Sequence, residues 1–247
     1  MAETTKKSGL KPKLQKAKAK FFTTYYSNPA KDLKIIVVTG NNGRDVTAHY
    51  IQNMLKNRDE HTGLIIDPST TSGLYKQMFN IWKSGADHVV VAVHASDLAN
   101  HLFYGLPIHL AVLTDNTEDT NATITNLTGD EEEGKAILFN TKPDFSIINH
   151  DNVNYELFAQ YPTTTATLSY GHDRSSDLRI NRSKLYKLGA EANFTYGNDS
   201  FDVATYVTSE SAIYYMAAAT LAGFALGFNA DQIVDAIADY EPENTKL

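Results

Sequence analysis

The 247-residue sequence contains no cysteine. Structural disulfides, thiolate metal sites and a cysteine nucleophile are therefore excluded. No apolar run approaches the roughly 20 residues of a membrane-spanning helix. The N-terminus carries lysines but no apolar h-region, so it does not read as a secretory signal and the expected location is cytoplasmic. Without such a signal, Asn-x-Ser/Thr triplets such as Asn121-Ala122-Thr123 carry no weight. Basic residues are in the minority: the net charge is −7, which argues against general nucleic-acid binding. There is no internal repeat, no Ser-His-Asp order and no nucleophile elbow. What is present is 42% hydrophobic and 21% charged, a globular composition. The length suits one large domain or two small ones.

The most informative stretch is Ile35-Ile36-Val37-Val38-Thr39-Gly40-Asn41-Asn42-Gly43-Arg44-Asp45-Val46-Thr47. Four apolar β-formers run into a polar turn with two glycines. Val46, Tyr50, Ile51, Met54 and Leu55 then recur at helix spacing. Strand, glycine loop and helix start is the arrangement in which backbone N–H groups hold phosphate. The usual loop ends Gly-Lys-Ser/Thr, whereas Arg44 and Asp45 stand here.

Before this stretch, Lys6, Lys7, Lys11, Lys13, Lys16, Lys18 and Lys20 face a single acid, Glu3. This tail reads either as a solvated segment, helical near Leu10, Leu14 and Ala17, or as a contact for an anionic surface. Phe21, Phe22, Tyr25 and Tyr26 are expected to dock its end on the body. After it, strands predicted at Lys34–Thr39, Gly63–Asp67, His88–Val93, Leu110–Thr114, Phe145–Asn149 and Thr165–Tyr170 alternate with helices. The helices are predicted at Val46–Asn57, Thr71–Ser84, Ser96–Phe103, Asp130–Phe139 and Val153–Gln160. That order implies a mostly parallel sheet covered on both faces. Asp177–Leu188, Ala190–Tyr196 and Phe201–Val207 alternate more strongly and suggest an antiparallel meander beside the sheet. Helices at Ser209–Leu226 and Ala230–Tyr240 close the chain. His94, Asp97 and His101, at i, i+3 and i+7, fall near one helix face and are a possible metal set. Such groups are more often satisfied surface polarity.

This layout resembles the central, ATP-binding domain of the Mur ligase family, in its MurE-like form. Thr39–Thr47 is similar to the family's T-G-T-N-G-K-T-T-T. Val89–Leu98 is similar to E-V-S-S-H-x-L, Ala111–Asp119 to A-V-F-T-N-x-x-x-D-H-L-D, Lys135–Phe139 to A-K-x-x-L-F and Ile148–Asn152 to N-x-D-D. Ala217-Ala218-Ala219 and Gly227-Phe228 match the late helix pair. The resemblance implies an α/β fold with a mostly parallel sheet flanked by helices, like that of P-loop NTPases, plus a small antiparallel β extension. A Lys-rich tail (1–30) would precede the domain (31–247). It implies a family chemistry in which ATP phosphorylates a carboxylate and an amine attacks the acyl phosphate. That chemistry needs a cationic clamp and magnesium.

Under the resemblance, Gly40, Asn41, Asn42, Gly43, Arg44, Asp45 and Asn149 are the nucleotide-contacting positions. Lys135 takes the place carbamylated in many Mur ligases, and Asp119 keeps a family acid. The departures are as telling. Arg44 replaces the phosphate-binding lysine, an exchange that loses its compact charge and reach. Asp45 replaces the hydroxyl near Mg²⁺. Like charges about 4 Å apart cost on the order of 4 kcal/mol at an effective dielectric of roughly 20. Asp45 is therefore expected either to cap the helix, worth about 1 kcal/mol, or to bind Mg²⁺ directly. Ala92 stands where a glutamate binds magnesium, Thr120 where a histidine stands, and Ala212 and Tyr215 where two asparagines stand. For Lys135, amid Glu131, Glu132 and Glu133, the ordinary reading is a solvated helix lysine. For Asn149 it is a turn residue. About thirty residues precede the first strand, too few for a domain.

The expectation is a catalytically impaired binding or scaffold module in cell-wall synthesis, with weak nucleotide or anion affinity at Gly40–Arg44 and no resident cofactor. The alternative is a residual ATP-dependent carboxylate–amine ligase or ATPase. It would use ATP and Mg²⁺, with Asp45 and Asp119 toward the metal and Lys135 retained, and a protein partner would supply the missing ligase domains. No nucleic-acid partner is expected, and the sequence sets no oligomeric state.

Overall fold

A computed structural model of the chain describes residues 10–26, 29–58, 60–99, 101–115 and 130–242. Short β-branched runs separated by amphipathic helices give six parallel strands: β1 (Lys34–Thr39), β2 (Thr62–Ile66), β3 (His88–Ala92), β4 (Ile108–Leu113), β5 (Phe145–Asn149) and β6 (Ala166–Gly171). The helices between them are α2 (Arg44–Asn57), α3 (Thr71–Lys83), α4 (Ala95–Leu98), α5 (Asp130–Phe139) and α6 (Tyr155–Ala159), and α1 (Leu10–Tyr25) precedes β1. Strands β7 (Leu178–Tyr186), β8 (Gly189–Tyr196) and β9 (Asp199–Thr205) follow, then α7 (Ala212–Ala225) and α8 (Ala230–Ala238). The nine strands form one sheet in the order β2-β3-β1-β4-β5-β6-β7-β8-β9.

Alternate side chains of β1 enter two different cores, as the period of two requires. Ile36 and Val38 join Tyr50 and Met54 of α2, Met216 of α7 and Ile233 of α8. Ile35 and Val37 join Leu74 and Met78 of α3, Phe139 of α5 and Phe158 of α6 on the other face. Helix α7 is rich in alanine and buries almost its whole circumference. Helix α8 opens with a reciprocal capping box between Asn229 and Gln232, which satisfies two N–H groups of its first turn.

The expected antiparallel extension is present and continues the sheet itself; several other expectations need correction. Strand β7 meets β6 in parallel over only Tyr170–Leu178 and Gly171–Arg179, then pairs antiparallel with β8, and β8 with β9. Helix α4 stops at Leu98 and His101 has φ of 56°, so His94, Asp97 and His101 share no helix face. Among the described residues no group of His, Asp and Glu is disposed to hold a metal. Of the four aromatics ending the tail only two turn inward. Phe22 packs 6.2 Å from the Tyr75 ring and Tyr26 5.5 Å from Phe79, whereas Phe21 and Tyr25 are exposed. Among the described residues no helix is long and apolar enough to cross a membrane. Asp119 and Thr120, the first nine residues with Lys6 and Lys7, and the last five lie outside the described residues.

Candidate functional site

The glycine loop Gly40–Gly43 joins the C-terminal end of β1 to the N-terminus of α2, at the carboxyl ends of the parallel strands, where ligands commonly bind. Gly43 is the N-cap of α2, with φ of 73°, a conformation that costs L side chains strain. A Cβ built there would overlap the Tyr215 ring, so glycine is required by space as well as by torsion. Tyr215, on the first turn of α7, lies directly across the loop.

Asp45 does not cap the helix, contrary to expectation. It sits inside the first turn, no side chain caps α2, and Gly43 takes the terminal place. A carboxylate there still suits the helix dipole. Its Oδ1 is buried without a hydrogen-bond partner, 3.6 Å from Arg44 Nε.

Arg44 begins α2 and its side chain is 11% exposed. The guanidinium engages both carboxylate oxygens of Asp67. Nε and Nη2 lie 3.3 and 3.2 Å from Oδ1, and Nη2 lies 3.1 Å from Oδ2. Nη2 also lies 2.8 Å from His94 Nε2. Asp67 directly follows β2, adopts φ of 47°, and donates its own N–H to the Ala92 carbonyl at 2.9 Å. Ala92, buried at the end of β3, thus contributes backbone only.

A second constellation lies behind the loop. Asp115, buried at the end of β4, accepts the Asn41 N–H through Oδ1 at 2.8 Å and pairs with Lys135 Nζ through Oδ2 at 2.6 Å. Lys135 is therefore not a solvated helix lysine. It is fully buried, because α5 packs its inner face onto the sheet. Asn149, ending β5 and fully buried, donates to the Asp115 carbonyl at 3.0 Å and accepts the Asp151 N–H at 3.0 Å. Thr114 donates to the Asn42 carbonyl at 2.6 Å. Below them Tyr170 donates to the Leu113 carbonyl at 2.8 Å. Burial first, then the nearby Asp115 charge, pushes its hydroxyl well above the ordinary phenol range.

The structure thus brings Asn41, Lys135 and Asn149 together on one hub, Asp115, and seats Arg44 on another, Asp67. Neither hub was singled out from the sequence. The available signal was position: each is a carboxylate within two residues of the end of an apolar parallel strand. Both cations are internally neutralised, and one N–H of the loop is already taken by a carboxylate.

The profile of the Mur ligase middle domain matches residues 38–223. The UDP-N-acetylmuramoyl-L-alanyl-D-glutamate–2,6-diaminopimelate ligase of Geobacillus thermodenitrificans is 24% identical over 94% of this chain and 52% of its own length. The UDP-N-acetylmuramyl-tripeptide synthetase 2 of Oceanobacillus iheyensis is 26% identical over 84% of this chain and 46% of its own. The chain therefore spans about half the length of these curated relatives. Among solved structures, a UDP-N-acetylmuramoyl-L-alanyl-D-glutamate–2,6-diaminopimelate ligase superposes with a TM-score of 0.74 at 19% identity, over 85% of this chain and 46% of that one. The MurF ligase from Thermotoga maritima in complex with ADP superposes with a TM-score of 0.69 at 19% identity, over 90% and 52%. These likenesses show the fold, and the profile match covers most of the sequence. The chain belongs to the Mur ligase middle-domain family.

Proposed function

We propose that this chain is a catalytically impaired member of the family, a binding or scaffold module linked to cell-wall synthesis, whose inherited phosphate loop is closed by its own side chains. The observation that carries this reading is the seating of Arg44 on both oxygens of Asp67. A guanidinium held in a fork–fork pair is not available as a clamp for a transferred phosphoryl group.

The remaining residues fit a magnesium nucleotide poorly. Ala92 offers no ligand where the resemblance places a glutamate. Asp45 brings negative charge to the helix N-terminus, where phosphate would sit. Asp115 already holds the Asn41 N–H, and the Tyr215 ring lies against Gly43. Weak anion or nucleotide affinity at Gly40–Arg44 is the most that this reading allows.

One observation favours the second reading, a residual ATP-dependent carboxylate–amine ligase or ATPase. Lys135 and Asn149 are both retained and converge on the back of the loop. That reading needs Arg44 for phosphate, Asp45 and Asp119 for Mg²⁺, and a protein partner. The contact between Lys135 and Asp115 speaks against it, because a lysine held as an ammonium by a buried carboxylate is a poor candidate for carbamylation, which requires the neutral amine.

Titration calorimetry with Mg-ATP and a phosphate-release assay test the proposal. The expected result is no micromolar binding and no turnover; micromolar affinity with phosphate release overturns it. The double change Arg44→Lys with Asp45→Thr is expected to raise nucleotide affinity by about tenfold, one factor-of-ten step in binding free energy. No change would sink the electrostatic part of the argument.

A further inference from the structure

The two faces of α1 differ in a way its packing does not explain. The inner face is used: Ala19 is buried, and Phe22 and Tyr26 pack their rings against Tyr75 and Phe79 of α3. Leu14, Lys18, Phe21 and Tyr25 fall at i, i+4, i+7 and i+11, a single stripe on another face. Leu14 is 58% exposed, Phe21 62% and Tyr25 69%. The Phe21 and Tyr25 rings stack on each other at 6.0 Å, so they present one continuous aromatic surface to solvent. Lys13, Lys18 and Lys20, all exposed, lie within and beside it. The helix sequence, LKPKLQKAKAKFFTTY, contains no acid, in a chain whose net charge is −7.

We infer that α1 docks this domain on an anionic lipid surface, lying in the headgroup plane with Leu14, Phe21 and Tyr25 turned into the lipid. Basic residues alone would answer to any anion, and aromatics alone to any apolar partner. The two interleaved on one helix fit an occupant with an anionic surface over an apolar interior. The stripe lies on one helix, so it can enter a soft planar layer. Beside it a groove of about 440 Å³ runs between α1 and the start of α3, lined by Lys18, Phe21, Phe22, Thr70 and Ser72. A lining of aromatic rings together with a lysine and hydroxyls suits an acyl chain carrying an anionic headgroup. The same charge contrast orients the molecule: the acidic body is repelled by the surface that attracts the helix.

Co-sedimentation of the full chain with vesicles tests the assignment. Vesicles of phosphatidylcholine alone are compared with vesicles of phosphatidylcholine mixed with phosphatidylglycerol. The chain is expected to bind the mixed vesicles only, and less as salt is raised. Two variants leave Ala19, Phe22 and Tyr26 untouched: Phe21→Ser with Tyr25→Ser, and Lys13→Gln with Lys18→Gln and Lys20→Gln. Each is expected to weaken partitioning by about tenfold or more, with circular dichroism and the thermal midpoint showing that the body stays folded. No binding to the mixed vesicles overturns the inference, as does binding that the aromatic pair does not affect. A dimer in sedimentation velocity that Phe21→Ser with Tyr25→Ser dissolves would assign the stripe to a second copy and also overturn it.

Discussion

A buried lysine stays charged only if a buried anion holds it, and the Asp115 carboxylate does so for Lys135 at 2.6 Å. Removing one partner of such a pair leaves the other charged and dry. Lys135→Met is therefore expected to cost about 3–5 kcal/mol in urea unfolding. Adding Asp115→Asn should recover more than half of that loss. The amide oxygen can still accept the Asn41 N–H, and no charge is left behind. A single variant as stable as the wild type would show that the pair does not hold the loop. His88 tells a different residue-scale story. It is buried in β3, 3.2 Å from Glu60 Oε2 but without hydrogen-bond geometry. Burial lowers its pKa below the ordinary histidine value, against the opposing pull of Glu60. The unfolded chain then takes up the proton first, so His88 contributes stability that is complete above the unfolded value and drains away as pH falls through the folded one. Thermal midpoints measured from about pH 8 down to about pH 5 should fall more steeply for the wild type than for His88→Gln. Parallel curves would refute this assignment.

At the scale of elements, what is local was legible. The apolar spacing of α2 places Tyr50, Ile51, Met54 and Leu55 inward, and all four are fully buried. Strands β1 and β5 and helix α5 have the bounds that their sequence patterns suggest. Partners were not legible. Arg44 meets Asp67 23 residues along the chain, through a backbone turn at positive φ that no periodicity signals. Lys135 looked solvated because its sequence neighbours are acids, yet its burial depends on how α5 meets the sheet. In α1 the aromatics at 22 and 26 share one face and those at 21 and 25 the next, a split that helix spacing alone contains. Gly134 shows how tertiary contact reverses a local rule. In the interior of α5, glycine to alanine should gain about 1 kcal/mol of helix propensity. A Cβ at Gly134, however, would overlap the backbone carbonyl of Ala95 in α4. Separating two packed helices outweighs propensity, so Gly134→Ala is expected to lose about 1–3 kcal/mol. A higher urea midpoint for Gly134→Ala would mean that α4 and α5 are not in such close contact.

For the whole molecule, the question is whether the antiparallel strands fold as an appendage or with the rest. At 247 residues a single cooperative transition is not guaranteed by size. The packing argues for one. A single core cluster runs from Val90 of β3 and Val112 of β4 to Phe194 of β8 and Val203 of β9, with α7 across it. Tyr196 of β8 stacks on Phe224 of α7, with centroids 4.2 Å apart and planes 7° from parallel. The sequence's single tryptophan, Trp82, lies on α3, where its indole donates to Asp32. Its fluorescence therefore reports the opposite face of the sheet. Tyr196→Ala removes an aromatic pair and is expected to cost about 1–3 kcal/mol. If α7 couples the two regions, Trp82 fluorescence and far-UV circular dichroism will lose stability by the same amount, with coincident midpoints in urea. If β7–β9 are an appendage, the dichroism will split into two phases while the Trp82 transition stays at its wild-type midpoint. The continuous hydrogen-bonded sheet and shared core predict the first result. Among the described residues the short β6–β7 junction of two residue pairs is the only backbone ladder between the two regions, so the coupling measured this way is carried chiefly by the side chains under α7.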